Sequence, residues 1–209
     1  MHADRDKPPY RDLLPWSGEF SGKYITGAYY IYRLTLNREL YDYIINFIDE
    51  LISYQDENGY LGCFRKECHL TGKFSEYVES RSYGTWDSWS LYHNMFGLLL
   101  WYQETGNKRY WDAVIRAADL FMNMFYNSEN ENHSLYDIGS SEMNLSVIHA
   151  FALLYSLTGM QKYLDFAQNI ENDLTRPEAG DYINHALMGM EFWQCPKPRW
   201  ESLHVILGV

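Results

Sequence analysis

A short tag occurs three times along the chain, and each copy reads as the end of one helix and the start of the next. It is LLWYQETGNKRYW at residues 99–111 and LLYSLTGMQKYL at 153–164. A degraded copy, YYIYRLTLNRELY at 29–41, carries Leu36 where the others carry glycine. Thr-Gly suits the left-handed close of a helix, and the polar residues after it suit a new helix start. With Thr35, Thr105 and Thr158 as markers, the spacings are 70 and 53 residues. Long periods flanked by apolar helical runs predict stacked helical hairpins.

The apolar pattern between the tags agrees. Leu40, Ile44, Phe47, Ile48, Leu51 and Ile52 recur at helical spacing, while Arg38, Asp42, Asp49 and Glu50 supply a wet side. Helical pairs are predicted at about 20–35 with 38–54, 88–104 with 108–126, and 142–157 with 161–174. A further helix is expected over 181–193, and a last one from near Arg199, beyond Pro196 and Pro198. Residues 1–18 read as a polar arm packed on the domain by Trp16, and 19–209 as the helical domain. The insertion at 61–86 is of a length that often serves function. No strand pattern competes, so the expected class is all-α. Gly208 stands in the setting of Gly97, which places a fourth marker threonine near position 216, past Val209. The expectation is an incomplete ring of three to four hairpins.

Composition narrows the partners. Of 209 residues 46% are hydrophobic and 22% charged, which is ordinary globular composition. A formal charge of −11 argues against nucleic acid or an anionic membrane, since both need a positive face. Aromatic residues reach 17%, which fits helix packing and equally a carbohydrate surface where rings stack on sugar C–H faces. Cys63, Cys68 and Cys195 imply no disulfide framework, and Cys63, Cys68 and His69 lack zinc-ribbon or zinc-finger spacing. No metal is expected in this chain. No apolar run approaches about 18 residues and no basic, then apolar leader opens the chain. A soluble protein is expected, with its compartment open.

Counting back from the small residue before each tag gives one stripe per hairpin. The stripes are Glu19/Lys23/Gly27, Trp89/His93/Gly97, Glu142/Ser146/Ala150 and Trp200/His204/Gly208. Residues at i, i+4 and i+8 share a helix face, so a ring would gather Glu19, Trp89, Glu142 and Trp200 around one mouth. Acids for proton transfer and hydroxyl binding, with rings for stacking, are what a glycoside-processing cleft requires. Trp86, His149 and Glu201 complete the candidate binding set of Glu19, Trp86, Trp89, His93, Glu142, His149 and Glu201. Glu19 and Glu142 equally suit acids that stabilise a helix N-terminus, and the histidines equally suit satisfied core positions.

Several segments resemble the β-L-arabinofuranosidase family, glycoside hydrolase family 127. They are Trp16-Ser-Gly-Glu-Phe-Ser-Gly-Lys-Tyr24, Gln55-Asp-Glu-Asn-Gly-Tyr-Leu-Gly62, Trp86-Asp-Ser-Trp89, the run from Gly97 to Gly106, and Ser146 through Ala167. The resemblance implies an (α/α)6 toroid followed by β-sandwich domains. It also implies hydrolysis of β-L-arabinofuranosides with retention, by a zinc-bound cysteine nucleophile and a glutamate acid/base. Those catalytic segments belong to the second half of the family's toroid and have no match here, so the catalytic residues and zinc are expected downstream. Cys195 lacks their neighbouring cysteines and glutamates. His93 and His149 match positions where family members bind the sugar through histidine, whereas Glu19 and Lys23 stand where many members carry histidines. Two alternatives remain: another six-hairpin sugar enzyme, such as an N-acylglucosamine epimerase or an unsaturated glucuronyl hydrolase, or a non-catalytic α-solenoid binding module. The solenoid's usual repeat of about 34 residues fits the spacings poorly.

Overall fold

The computed structural model describes residues 2–11, 13–74, 84–127 and 133–209. Among these residues every regular element is helical. Three hairpins are formed by α1 (Glu19–Thr35) with α2 (Arg38–Ser53), α3 (Asp87–Thr105) with α4 (Lys108–Met124), and α6 (Ile148–Thr158) with α7 (Gln161–Leu174). A single turn, α5 (Ser141–Asn144), precedes α6; the short α8 (Tyr182–Leu187) and α9 (Trp200–Ile206) follow α7. The first helices of the hairpins pack side by side, α1 on α3, α3 on the α5–α6 segment, and that segment on α9. Helices α2, α4 and α7 back onto their partners from outside. The chain thus forms an arc of two helical layers.

The tags close the hairpins by one repeated device. Thr35, Thr105 and Thr158 each donate Oγ1–H to the carbonyl four residues back, at 2.8, 2.7 and 2.7 Å. Each hydroxyl also accepts the N–H two residues on, at 3.3, 3.2 and 3.1 Å. The next residue turns left-handed, at φ 51° for Leu36, 69° for Gly106 and 67° for Gly159. Its N–H returns 2.7 Å to the carbonyl of the tag tyrosine, Tyr32, Tyr102 or Tyr155. One threonine therefore adds a second bond to a helix carbonyl and satisfies an orphan N–H at the start of the next helix.

Packing between the inner helices is close at glycine. A Cβ on Gly22 would lie 2.2 Å from the carbonyl carbon of His93, so α1 touches the α3 backbone there. Deeper in the core, Trp101 donates Nε1–H to the carbonyl of Ile25 at 2.9 Å and is ringed by Tyr29, Tyr32 and Tyr41. The described part of the 61–86 insertion is tied to α3 by Asp87. Its buried carboxylate accepts Tyr60 Oη–H at 2.9 Å and Leu70 N–H at 2.8 Å. Residues 75–83 of that insertion lie outside the described residues. The Trp16 ring meets that of Trp86 at 5.3 Å, while Pro15 accepts the Trp86 N–H.

Two helices differ from the sequence reading. The expected helix at 142–157 is interrupted: α5 tightens into a 3-10 turn at Leu145–Val147 before α6 begins. The helix expected over 181–193 stops at Leu187, because Gly189 takes φ 77° and Met190 N–H reaches back to the carbonyl of His185. Helix α9 ends at Ile206, so Gly208 lies beyond it, pressed against the backbone of Ile148 and His149.

Candidate functional site

The N-terminal halves of the inner helices converge on a cluster of imidazoles and indoles. Glu19, in the first turn of α1, accepts Trp89 Nε1–H through Oε2 and pairs with Lys23 Nζ at 2.8 Å. The Lys23 ammonium lies over two indoles, 4.2 Å from the Trp200 ring and 5.2 Å from that of Trp89. Trp89 and Trp200 meet edge-on at 5.3 Å. Behind them, His93 stands edge-on to Trp89 at 4.2 Å and 5.3 Å from the His204 ring. Tyr92, fully buried, brings its hydroxyl to Nδ1 of His149 at 2.9 Å and to Nδ1 of His204 at 2.7 Å.

Electrostatics keep these imidazoles neutral. Burial, then the nearby Lys23, His204 and His149, holds His93 well below the usual histidine range. Burial and the same kind of neighbours push His204 down to about 4, and burial alone lowers His149. A neutral imidazole offers one donor and one acceptor. His93 is 3% exposed, and its Nε2 has no hydrogen-bond partner. Such a group costs stability unless something fills the position.

A second cluster adjoins the first. Arg199 pairs with Glu142 at 3.3 Å and Glu201 at 3.4 Å, and its guanidinium lies 5.8 Å from the Trp86 ring. Lys197 adds a 3.1 Å pair to Glu142. Glu142 and Glu201 are buried, so these pairs compensate carboxylates removed from water.

The structure therefore divides the sequence-derived set. Glu19, Trp89, His93 and His149 join the imidazole–indole cluster, with Lys23, Trp200 and His204 of the stripes beside them. Trp86, Glu142 and Glu201 gather around Arg199 instead. Glu142 is engaged by Lys197 and Arg199 rather than by the indoles, and the 3-10 turn at Leu145–Val147 interrupts the helix between it and Ala150. Tyr92, Lys197 and Arg199 escaped the sequence reading; Tyr92 lies just off its stripe, and the two basic residues come from an irregular segment with no period.

No three histidine, cysteine or acidic side chains among the described residues are grouped to hold a metal ion. Cys63 and Cys68 pack with Phe64, and His69 stacks on Tyr60. Cys195 is buried with its Sγ toward the Glu191 carbonyl. These residues do not fit the zinc site that the resemblance implies.

A two-layered arc of helical hairpins, with the inner helices facing one mouth, defines the chain as part of a helical toroid. The sequence matches the family of the β-L-arabinofuranosidase, GH127 catalytic domain, over residues 6–191, and the chain belongs to that family. It is similar in fold to the GH127 β-arabinofuranosidase BT3674, with 22% identity and a TM-score of 0.61 over 81% of this chain and 26% of the other. Ara127N, a GH127 β-L-arabinofuranosidase from Geobacillus stearothermophilus T6, matches with 17% identity and a TM-score of 0.57, over 87% of this chain and 27% of the other. The chain thus spans about a quarter of the length of these structures. No curated protein sequence matches it. No helix among the described residues is long and apolar enough to cross a membrane.

Proposed function

We propose that this chain is the N-terminal part of a glycoside hydrolase toroid and supplies the sugar-holding side of its cleft. The observation that carries this reading is His93 Nε2, a buried and unpartnered ring nitrogen among indoles and two further neutral imidazoles. A sugar hydroxyl satisfies that nitrogen, and Trp200, half-exposed at the mouth, offers a stacking face. Exposed apolar side chains on the outer flank of α1 (Phe20, Tyr24, Ile31 and Leu34) and on α9 (Leu203 and Ile206) suit continuation of the ring on both sides.

The charge balance of the mouth favours a neutral sugar. Lys23, Lys197 and Arg199 are each matched by Glu19, Glu142 and Glu201, and the histidines are uncharged. Among the described residues of the two clusters no cation is left for a carboxylate, which weighs against an unsaturated uronide and for a neutral sugar such as a pentofuranoside. Glu19, Glu142 and Glu201 are committed to ion pairs, which suits a binding role for these carboxylates. The test is steady-state kinetics of the full enzyme on aryl β-L-arabinofuranosides and unsaturated uronides. His93→Ala and His149→Ala each raise KM or lower kcat/KM on the furanoside. Wild-type kinetics in both variants overturns the assignment.

A further inference from the structure

We infer that Tyr92 is a positioning residue that locks His149 and His204 in opposite tautomers, so that together they present one donor and one acceptor to neighbouring hydroxyls of the bound sugar. The inference rests on the sugar-binding reading of this site and adds to it the device that sets hydrogen-bond polarity. Tyr92 Oη is within hydrogen-bond distance of both Nδ1 atoms, at 2.9 and 2.7 Å, on two different helices. The phenol carries one proton, and each neutral imidazole carries one. Were both Nδ1 atoms bare, one contact would set lone pair against lone pair. Were both protonated, the phenolic proton of a fully buried tyrosine would have no acceptor in this triad.

The arrangement that satisfies all three groups has Tyr92 donating to one Nδ1 and accepting Nδ1–H from the other. The first histidine then carries its proton on Nε2, while the second leaves Nε2 bare. Because Tyr92 occupies both Nδ1 edges, Nε2 is the nitrogen each ring offers to a ligand. Burial raises the Tyr92 phenol, which keeps it protonated, and burial lowers both imidazoles. The ring of Tyr92 is itself held between Trp89, at 5.7 Å, and Phe96, stacked at 6.1 Å, so its hydroxyl has a fixed position. An outward donor beside an outward acceptor matches adjacent hydroxyls, one accepting and one donating.

The first readout needs no sugar. Long-range ¹H–¹⁵N NMR of the full protein at neutral pH, with His149 and His204 assigned by single substitution, reports each tautomer. The expected result is one Nδ1–H and one Nε2–H histidine in the wild type, and loss of the Nδ1–H form in Tyr92→Phe. The same tautomer on both rings, or an unchanged pattern in Tyr92→Phe, overturns the lock. The second readout uses singly deoxyfluorinated β-L-arabinofuranosides, because fluorine accepts weakly and cannot donate. Wild type should tolerate fluorine at one of the two hydroxyls and lose about tenfold in kcat/KM at the other, and Tyr92→Phe should erase that difference. Tyr92→Phe keeps the ring, and an unchanged circular dichroism spectrum confirms its fold. Equal discrimination in both proteins overturns the role of Tyr92. Opposite tautomers together with wild-type kinetics in His149→Ala overturns the presentation to sugar and locates the failure in the sugar-site reading.

Discussion

Replacing Gly22 with alanine tests whether the site depends on the contact between α1 and α3. An ideal Cβ there would lie 2.2 Å from the His93 carbonyl carbon, 2.4 Å from its oxygen and 2.4 Å from the Asn94 nitrogen. Ordinary contact begins near 3.4 Å, and all three obstacles are backbone, so no side chain can swing aside. Helix α1 has to retreat by more than an ångström or bend. Overpacking of this kind costs about 2–3 kcal/mol, which for a chain of this size lowers Tm by about 5–10 °C. Gly27, five residues along the same helix, has nothing within 4 Å of its Cβ position. Gly27→Ala should instead gain about 0.5–1 kcal/mol from helix propensity. Differential scanning calorimetry of both variants gives the comparison, and tryptophan fluorescence reports the retreat at Trp89, whose indole bonds to Glu19 on α1. Equal Tm shifts, or a Gly22→Ala protein as stable as wild type, would refute the close contact and with it the placement of His93.

Leu36→Gly should stabilise the first hairpin by about 1 kcal/mol in chemical denaturation, because Leu36 is exposed and left-handed at φ 51°; a loss of stability would show that its side chain matters more than its backbone. Stability should also fall as pH drops from about 6.5 toward 4. Burial depresses His2, His69 and His204 to about 4 and His93 further, so the unfolded chain takes up protons in that window while the folded chain does not. Asp87 opposes this, since burial raises its carboxyl to about 7 and its contribution weakens folding as pH rises from about 4 to 7. With His149 also lowered by burial, five histidines against one aspartate leave the net sign with the histidines. Urea midpoints that rise on acidification through this window would contradict it.

The hairpins were legible because their stop signals are local. Threonine, then a left-handed residue, closes a helix whatever surrounds it, and even the degraded copy at Leu36 keeps the threonine bonds. The inner-face stripes worked where the helices are regular, as in α1 and α3. At Glu142 the partners come from elsewhere: Leu145–Val147 tighten without a local sequence signal, and Lys197 and Arg199 engage the carboxylate from 55 and 57 residues away. Tyr92 was invisible for another reason. A buried tyrosine on an apolar helix looks like core, and its function comes from two histidines 57 and 112 residues downstream. The Arg199 cluster depends on the irregular path after α8, which periodicity cannot supply.

On the proposed function the inner-helix imidazoles hold a sugar, and a crystal structure of the full protein with a β-L-arabinofuranoside, or with L-arabinose as product, is the test. The prediction is a sugar hydroxyl within about 3.2 Å of His93 Nε2, with the ring against Trp200 and further hydroxyls at the Nε2 atoms of His149 and His204. A sugar bound elsewhere, with His93 Nε2 still unpartnered, would contradict it.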